Sequence, residues 1–237
     1  MNEGATVHFC ARNGTDVTST ERSLREAHGG DRVHGTAFDI TDAGSLTSFV
    51  DKAAKTGSSG TDKDQSGGID IVVANASALA VADDDAAWNS AFNTDLLSTV
   101  HLIAAAMPHL IARKGVAIAI SSVSGRDIDF TAPSAYGAIK AGLIHYMAQI
   151  ARTYAPKGVR AVTVSPGNIY LEDGVWGTIE KENPTLFKSQ FEANPMGRMG
   201  RVEEIADVVC FLGSNKASFV SGGNVTVDGA LCTGVQL

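Results

Sequence analysis

Two short stretches carry residue types that can move a proton. The first is Ser121-Ser122-Val123-Ser124-Gly125 and the second is Tyr136-Gly137-Ala138-Ile139-Lys140. On a helix, positions i and i+4 share a face, so the phenol of Tyr136 and the ammonium of Lys140 are expected to point into one cleft. A free phenol titrates near pH 10, and a neighbouring ammonium favours phenolate, so Lys140 is expected to lower the Tyr136 pKa toward neutrality. A serine hydroxyl beside that phenol can hold a carbonyl or alcohol oxygen. The trio suits proton transfer coupled to hydride transfer.

These residues need a strand, a turn and a helix to hold them. Val116-Ala117-Ile118-Ala119-Ile120 reads as a buried strand opening into the serine-rich turn, and a helix is expected from about Pro133 to Tyr154. The rest of the chain alternates in the same way. Strands are expected at Thr6–Ala11, Val33–Phe38, Ile69–Ala74, Gly158–Val164 and Val225–Val227. Helices are expected at Ser19–Ala27, Ala43–Lys55, Ala86–Arg113 with a break after its first turns, and Val202–Leu212. Thr56–Gly68 reads as an enlarged surface loop, and Leu171–Met199 as an irregular lid with one short helix near Pro184–Glu192. The fold class is α/β, a doubly wound parallel sheet, in a single Rossmann-like domain over residues 1–237. Ligands bind beyond the carboxyl ends of such strands, and Arg12, Asp39, Asn75, Ser122 and Pro166-Gly167 all follow an expected strand.

Composition narrows the function classes. A net charge of -7 argues against nucleic acid or an anionic membrane as partner. No apolar run approaches the roughly 20 residues of a membrane span. The three cysteines, Cys10, Cys210 and Cys232, are widely spaced, which fits reduced thiols in a cytoplasmic protein. The six histidines show no metal-binding pattern, so no metal is expected.

Taken together, the motifs resemble the short-chain dehydrogenase/reductase family, near its ketoacyl-reductase-like and hydroxysteroid-dehydrogenase-like members, from about Gly4 to Gly229. The resemblance implies an oxidoreductase interconverting a carbonyl and a secondary alcohol, with Tyr136 as acid or base, Lys140 and Ser122 beside it, and Asn93 steadying a relay. Ser122 precedes Tyr136 by 14 positions, longer than the family's usual interval, so Ser121 and Ser124 also stand as candidates. Asn75-Ala76-Ser77 resembles the family's Asn-Ala-Gly turn with Ser77 in place of glycine. Pro166-Gly167-Asn168-Ile169 resembles its nicotinamide-facing turn, with Leu171 where a threonine is usual. Asp39 and Ile40 resemble the pair framing the adenine ring. Ala11 stands where NAD-preferring relatives carry a carboxylate, and Arg12 follows it. A guanidinium can pair with a ribose 2′-phosphate, so NADP is expected over NAD, although a merely solvated Arg12 fits as well. Asn194–Arg201 and Ser221–Gly229 resemble the family's C-terminal signature, implying a homo-oligomer, tetramer or dimer. The substrate is expected to be a small carbonyl or alcohol, hydrophobic if Trp176, Ile179, Leu186 and Phe187 line the lid.

Family members begin with a strand and a Thr-Gly-x-x-x-Gly-x-Gly turn whose backbone N–H groups hold the cofactor pyrophosphate. Here Met1–Ala5 reads as the end of the helix that follows that turn. The strand before it would lie between the Val7 and Ile69 strands. Two readings stay open: a start placed too late in an active enzyme, or a truncated, non-catalytic structural or regulatory relative unable to hold the dinucleotide.

Overall fold

The computed structural model describes residues 3–56, 67–129, 131 and 135–234. Most of the loop expected over 56–68 lies outside the described residues, as does the expected helix start at 133–134. The chain falls into two compact units, Met1–Asp70 with Leu97–Gly115, and Ile71–Leu96 with Val116–Leu237.

In the first unit, β1 (Val7–Ala11) pairs in parallel with β2 (Val33–Ala37), Val7 opposite Val33. Helix α1 (Gly14–His28) begins five residues before the expected Ser19, because the Asn13 side chain accepts from the N–H groups of Thr15 and Asp16. Its first turns are polar and bury only Val17, which hides the helix from an apolar-period search. Helix α2 (Ala43–Thr56) is capped by the Asp42 carboxylate and buries Leu46, Val50 and Ala54 at four-residue spacing. It packs on α4 (Ser98–Arg113), which buries Ile103, Ala106, Met107 and Leu110.

The second unit is a parallel sheet in the order β3-β4-β5-β8, from Ile71–Ala74, Val116–Ile120, Arg160–Pro166 and Asn224–Val227. Its apolar centre joins Val116 and Ile118 to Val162, Val164, Leu212 and Ala217. Helix α5 (Ala135–Tyr154) packs on β5, and α8 (Val202–Gly213) on β4 and β5. The region expected to be an irregular lid is more ordered than that: α6 (Val175–Glu182) and α7 (Pro184–Glu192) pack together, and β6 (Ile169–Tyr170) pairs with β7 (Gly200–Arg201). Gly177 conceals α6 from sequence inspection, yet a side chain there would meet the Glu172 carbonyl.

Among the described residues, β1 pairs only with β2, and β3 only with β4. The expected break in the long helix is a π-helical turn, Phe92–Leu97, between α3 (Asp85–Ala91) and α4. By length and composition the run Asp85–Arg113 could cross a membrane, a point no contiguous apolar run reveals. The apolar residues that α4 buries instead serve the interior of the first unit.

Candidate active site

Strand β4 delivers the serine turn. Each of the three serines there has a different role. Ser121 is buried and its hydroxyl donates to the Lys140 carbonyl at 2.9 Å, tying the turn to α5. Ser124 donates to Asp129 Oδ2 at 2.7 Å. The Ser122 hydroxyl donates to Ser124 Oγ at 3.1 Å, and among the three candidates Ser122 is the one that acts on the Tyr136 phenol, drawing its pKa down. Its oxygen also accepts from the Ser124 N–H at 3.1 Å, which fixes its rotamer. Gly125 lets the turn lie against the helix: a Cβ there would sit 2.6 Å from the Lys140 carbonyl carbon. The turn is held from behind as well. Arg126 donates to Thr226 Oγ1 at 2.6 Å and to the Gly234 carbonyl at 2.9 Å.

Tyr136 and Lys140 share one face of α5, with the ammonium 5.6 Å from the phenol ring centre. Lys140 is buried and donates to the Ile120 carbonyl at 3.2 Å. Its charge is met by Asp95, at 3.0 Å. Asp95 also accepts from the Ser77 hydroxyl at 2.5 Å and from the Ala78 N–H at 2.8 Å. Here the structure corrects the sequence in two ways. Asn93 does not reach the lysine; it is exposed and donates to the Asn89 carbonyl of its own helix at 2.7 Å. The wider π turn aims the residue two positions later, Asp95, at Lys140. The second correction concerns the phenol. Tyr136 is pushed above its ordinary pKa, chiefly by burial, against the opposing pull of the Ser122 hydroxyl, and further by the charges of Asp95 and Asp129. The expected lowering by Lys140 is not found, because a carboxylate sits against the ammonium. One sequence signal for Asp95 exists: an acid within Leu96, Leu97 and Val100 on a half-apolar helix demands a partner.

The other candidates take their places at strand ends. In the second unit, Asn75 and Ala76 follow β3 and are exposed, and Ser77 begins the link to Asp95. The Ser77 hydroxyl also accepts from the Leu79 N–H at 3.2 Å, and Leu79 is held at φ 48°. Pro166 ends β5, and Gly167 passes so close to Asp228 that a Cβ would fall 2.7 Å from its side chain. Ile169 is half-buried in β6, and Leu171 is exposed. In the first unit, Arg12 and Asp39 are exposed beyond β1 and β2, with Ile40 half-buried beside them. Asp39 accepts from the N–H and hydroxyl of Thr41 at 2.9 and 2.8 Å. Those bonds, and to a lesser extent the charge of Arg12, hold its carboxyl below the usual range.

Known proteins supply the context. The sequence profile of a family described as enoyl-(acyl carrier protein) reductase matches residues 1–231. The chain is 35% identical to isoepoxydon dehydrogenase of Penicillium expansum, over 100% of this chain and 88% of that one. It is 33% identical to cis-4-hydroxycyclohexanecarboxylate dehydrogenase of Sinomonas cyclohexanicum, over 88% and 79% of the two chains. Among solved structures, an NADPH-bound short chain oxidoreductase of Pseudomonas aeruginosa PAO1, described as containing an atypical catalytic center, superimposes with a TM-score of 0.85. It is 26% identical and covers 99% of this chain and 90% of that one.

Proposed function

The chain is an oxidoreductase of the short-chain dehydrogenase/reductase family, and we propose that it interconverts a carbonyl and a secondary alcohol with NADP, Tyr136 giving or taking the proton. The observation that carries this reading is the pairing of Tyr136 and Lys140 on one face of α5, the ammonium 5.6 Å from the phenol ring centre, with the Ser122 hydroxyl acting on the phenol. In reduction, Ser122 holds the carbonyl oxygen and the phenol passes it a proton; in oxidation the same phenol, as phenolate, takes the alcohol proton. The bound cofactor supplies or receives the hydride.

The donor chemistry of the residues fits the nicotinamide end of a dinucleotide. Lys140 has three N–H bonds, and Asp95 and the Ile120 carbonyl use two, so the third suits a ribose hydroxyl. The exposed guanidinium of Arg12, with Ala11 rather than a carboxylate at the end of β1, supports NADP over NAD. So does the NADPH bound to the Pseudomonas aeruginosa relative. For the substrate we favour a hydrophobic cyclic ketone or its secondary alcohol. Trp176, Ile179, Leu186 and Phe187 are half-buried on α6 and α7, and one relative is named for a hydroxycyclohexanecarboxylate, a ring alcohol. The resemblance of 194–201 and 221–229 to the family's C-terminal signature supports a homo-oligomer, and the three free cysteines support a reducing compartment such as the cytoplasm.

The test is Tyr136→Phe, assayed by NADPH-dependent reduction of cyclohexanone-type ketones. Turnover is expected to fall by about a hundredfold or more with the fold intact by circular dichroism. Undiminished turnover refutes the role given to Tyr136.

A further inference from the structure

We infer that Asp95 is a positioning residue: its buried carboxylate holds the Lys140 ammonium and thereby sets the pH range over which Tyr136 exchanges its proton. The inference rests on the reading of Tyr136 as the proton carrier. Three donors converge on Asp95, namely Lys140 Nζ at 3.0 Å, Ser77 Oγ at 2.5 Å and the Ala78 N–H at 2.8 Å. Two carboxylate oxygens accept all three. A carboxamide has one oxygen, and its NH₂ would face a donor. The site is therefore built for an anion. With 1% of the side chain exposed, that anion is held by its partners and not by water.

The electrostatic consequence follows from the near-neutrality of the pair. An isolated ammonium on the same face of α5 would draw the phenol toward phenolate. Asp95, 3.0 Å from the ammonium, opposes it, and Asp129 adds a second negative charge acting on the phenol. The other elements packed on α5 contribute little charge. Strand β4 has no titratable residue, and Arg160 of β5 turns to the carbonyls of Val220 and Ser214. Before α3, Asp84 is spent on capping the Ala87 N–H, and Asp85 is exposed. Asp95 is thus the acid placed to cancel Lys140. The phenol then stays protonated over a wide range, which suits the acid needed for carbonyl reduction.

The test reads Tyr136 directly. Tyrosinate absorbance is followed against pH in the full chain, and the trace of a matched Tyr136→Phe protein is subtracted to isolate one phenol. Asp95→Asn is expected to lower the Tyr136 midpoint by about one pH unit or more, since it leaves Lys140 uncancelled. Lys140→Met is expected to raise it, since it leaves Asp95 alone. If Asp95→Asn does not fold, Lys140→Met decides the matter by itself. A midpoint unmoved in either folded variant overturns the inference. The readout needs no turnover, so a Tyr136→Phe protein that keeps its activity would count against the proposed chemistry and not against this assignment of Asp95.

Discussion

Lys140 Nζ and Asp95 Oδ1 stand 3.0 Å apart, with 3% and 1% of their side chains exposed. A pair so dry is costly to split, because the survivor keeps a charge that water cannot reach. Lys140→Met should reduce stability by about 3 kcal/mol in urea unfolding. The double variant Asp95→Leu/Lys140→Met should lose less than Lys140→Met alone. A double variant that loses the full sum of the singles would mean the two charges act independently.

Gly125→Ala probes the seam between the serine turn and α5. Its new Cβ would lie 2.6 Å from the Lys140 carbonyl carbon and 2.7 Å from the Ala141 nitrogen, both backbone atoms that cannot swing aside. Stability should fall by roughly 1–3 kcal/mol. Turnover of the folded fraction should drop about tenfold to a hundredfold, since Ser122 moves with the turn. Thermal melts and ketone reduction on the same sample separate the two effects; wild-type turnover would show that Ser122 keeps its place.

Arg12→Ala should erase cofactor preference. If the guanidinium pairs with the 2′-phosphate, the KM for NADPH should rise at least about tenfold, the equivalent of 1.4 kcal/mol, while the KM for NADH stays nearly constant. Parallel changes in both constants would assign Arg12 a role unrelated to the phosphate.

Glu204 offers a pH test of structure away from the site. It accepts from Arg198 at 2.8 and 2.6 Å and from the Arg201 N–H at 2.8 Å, at the start of α8. These bonds lower its pKa from 4.5 to about 2, the Arg198 hydrogen bond foremost. A depressed carboxyl stabilises the fold above its unfolded value and loses that contribution as pH falls through the folded one. Wild type should therefore melt above Glu204→Gln at pH 7, with the gap closing between about 4.5 and 2. A gap that persists at pH 2 would trace the effect to something other than the charge.

Much of this molecule is legible without coordinates. Runs such as Val116–Ile120 declare buried parallel strands, and the four-residue spacing of Tyr136 and Lys140 places phenol and ammonium on one face. What escapes is whatever depends on local departures from regular geometry. The π turn shifts the helical register and brings Asp95 to Lys140, whereas Asn93, singled out by the family resemblance, bonds the Asn89 carbonyl of its own helix. The Tyr136 pKa escapes for a related reason. Its direction is set by burial and by Asp95 and Asp129, which lie 41 and 7 positions before it in the chain and meet it only in space. Helix α6 is missed because Gly177 looks like a breaker, whereas packing against the Glu172 carbonyl is what demands it.

The grip of Arg126 on Thr226 and Gly234 bears on how the protein is made. Ser122, Tyr136 and Lys140 all leave the ribosome long before residues 226–234 do. Until those residues emerge, the serine turn lacks its rear brace, and β5 lacks β8 on its outer edge. The nascent chain thus carries its reactive groups about a hundred residues before the segment that fixes their arrangement.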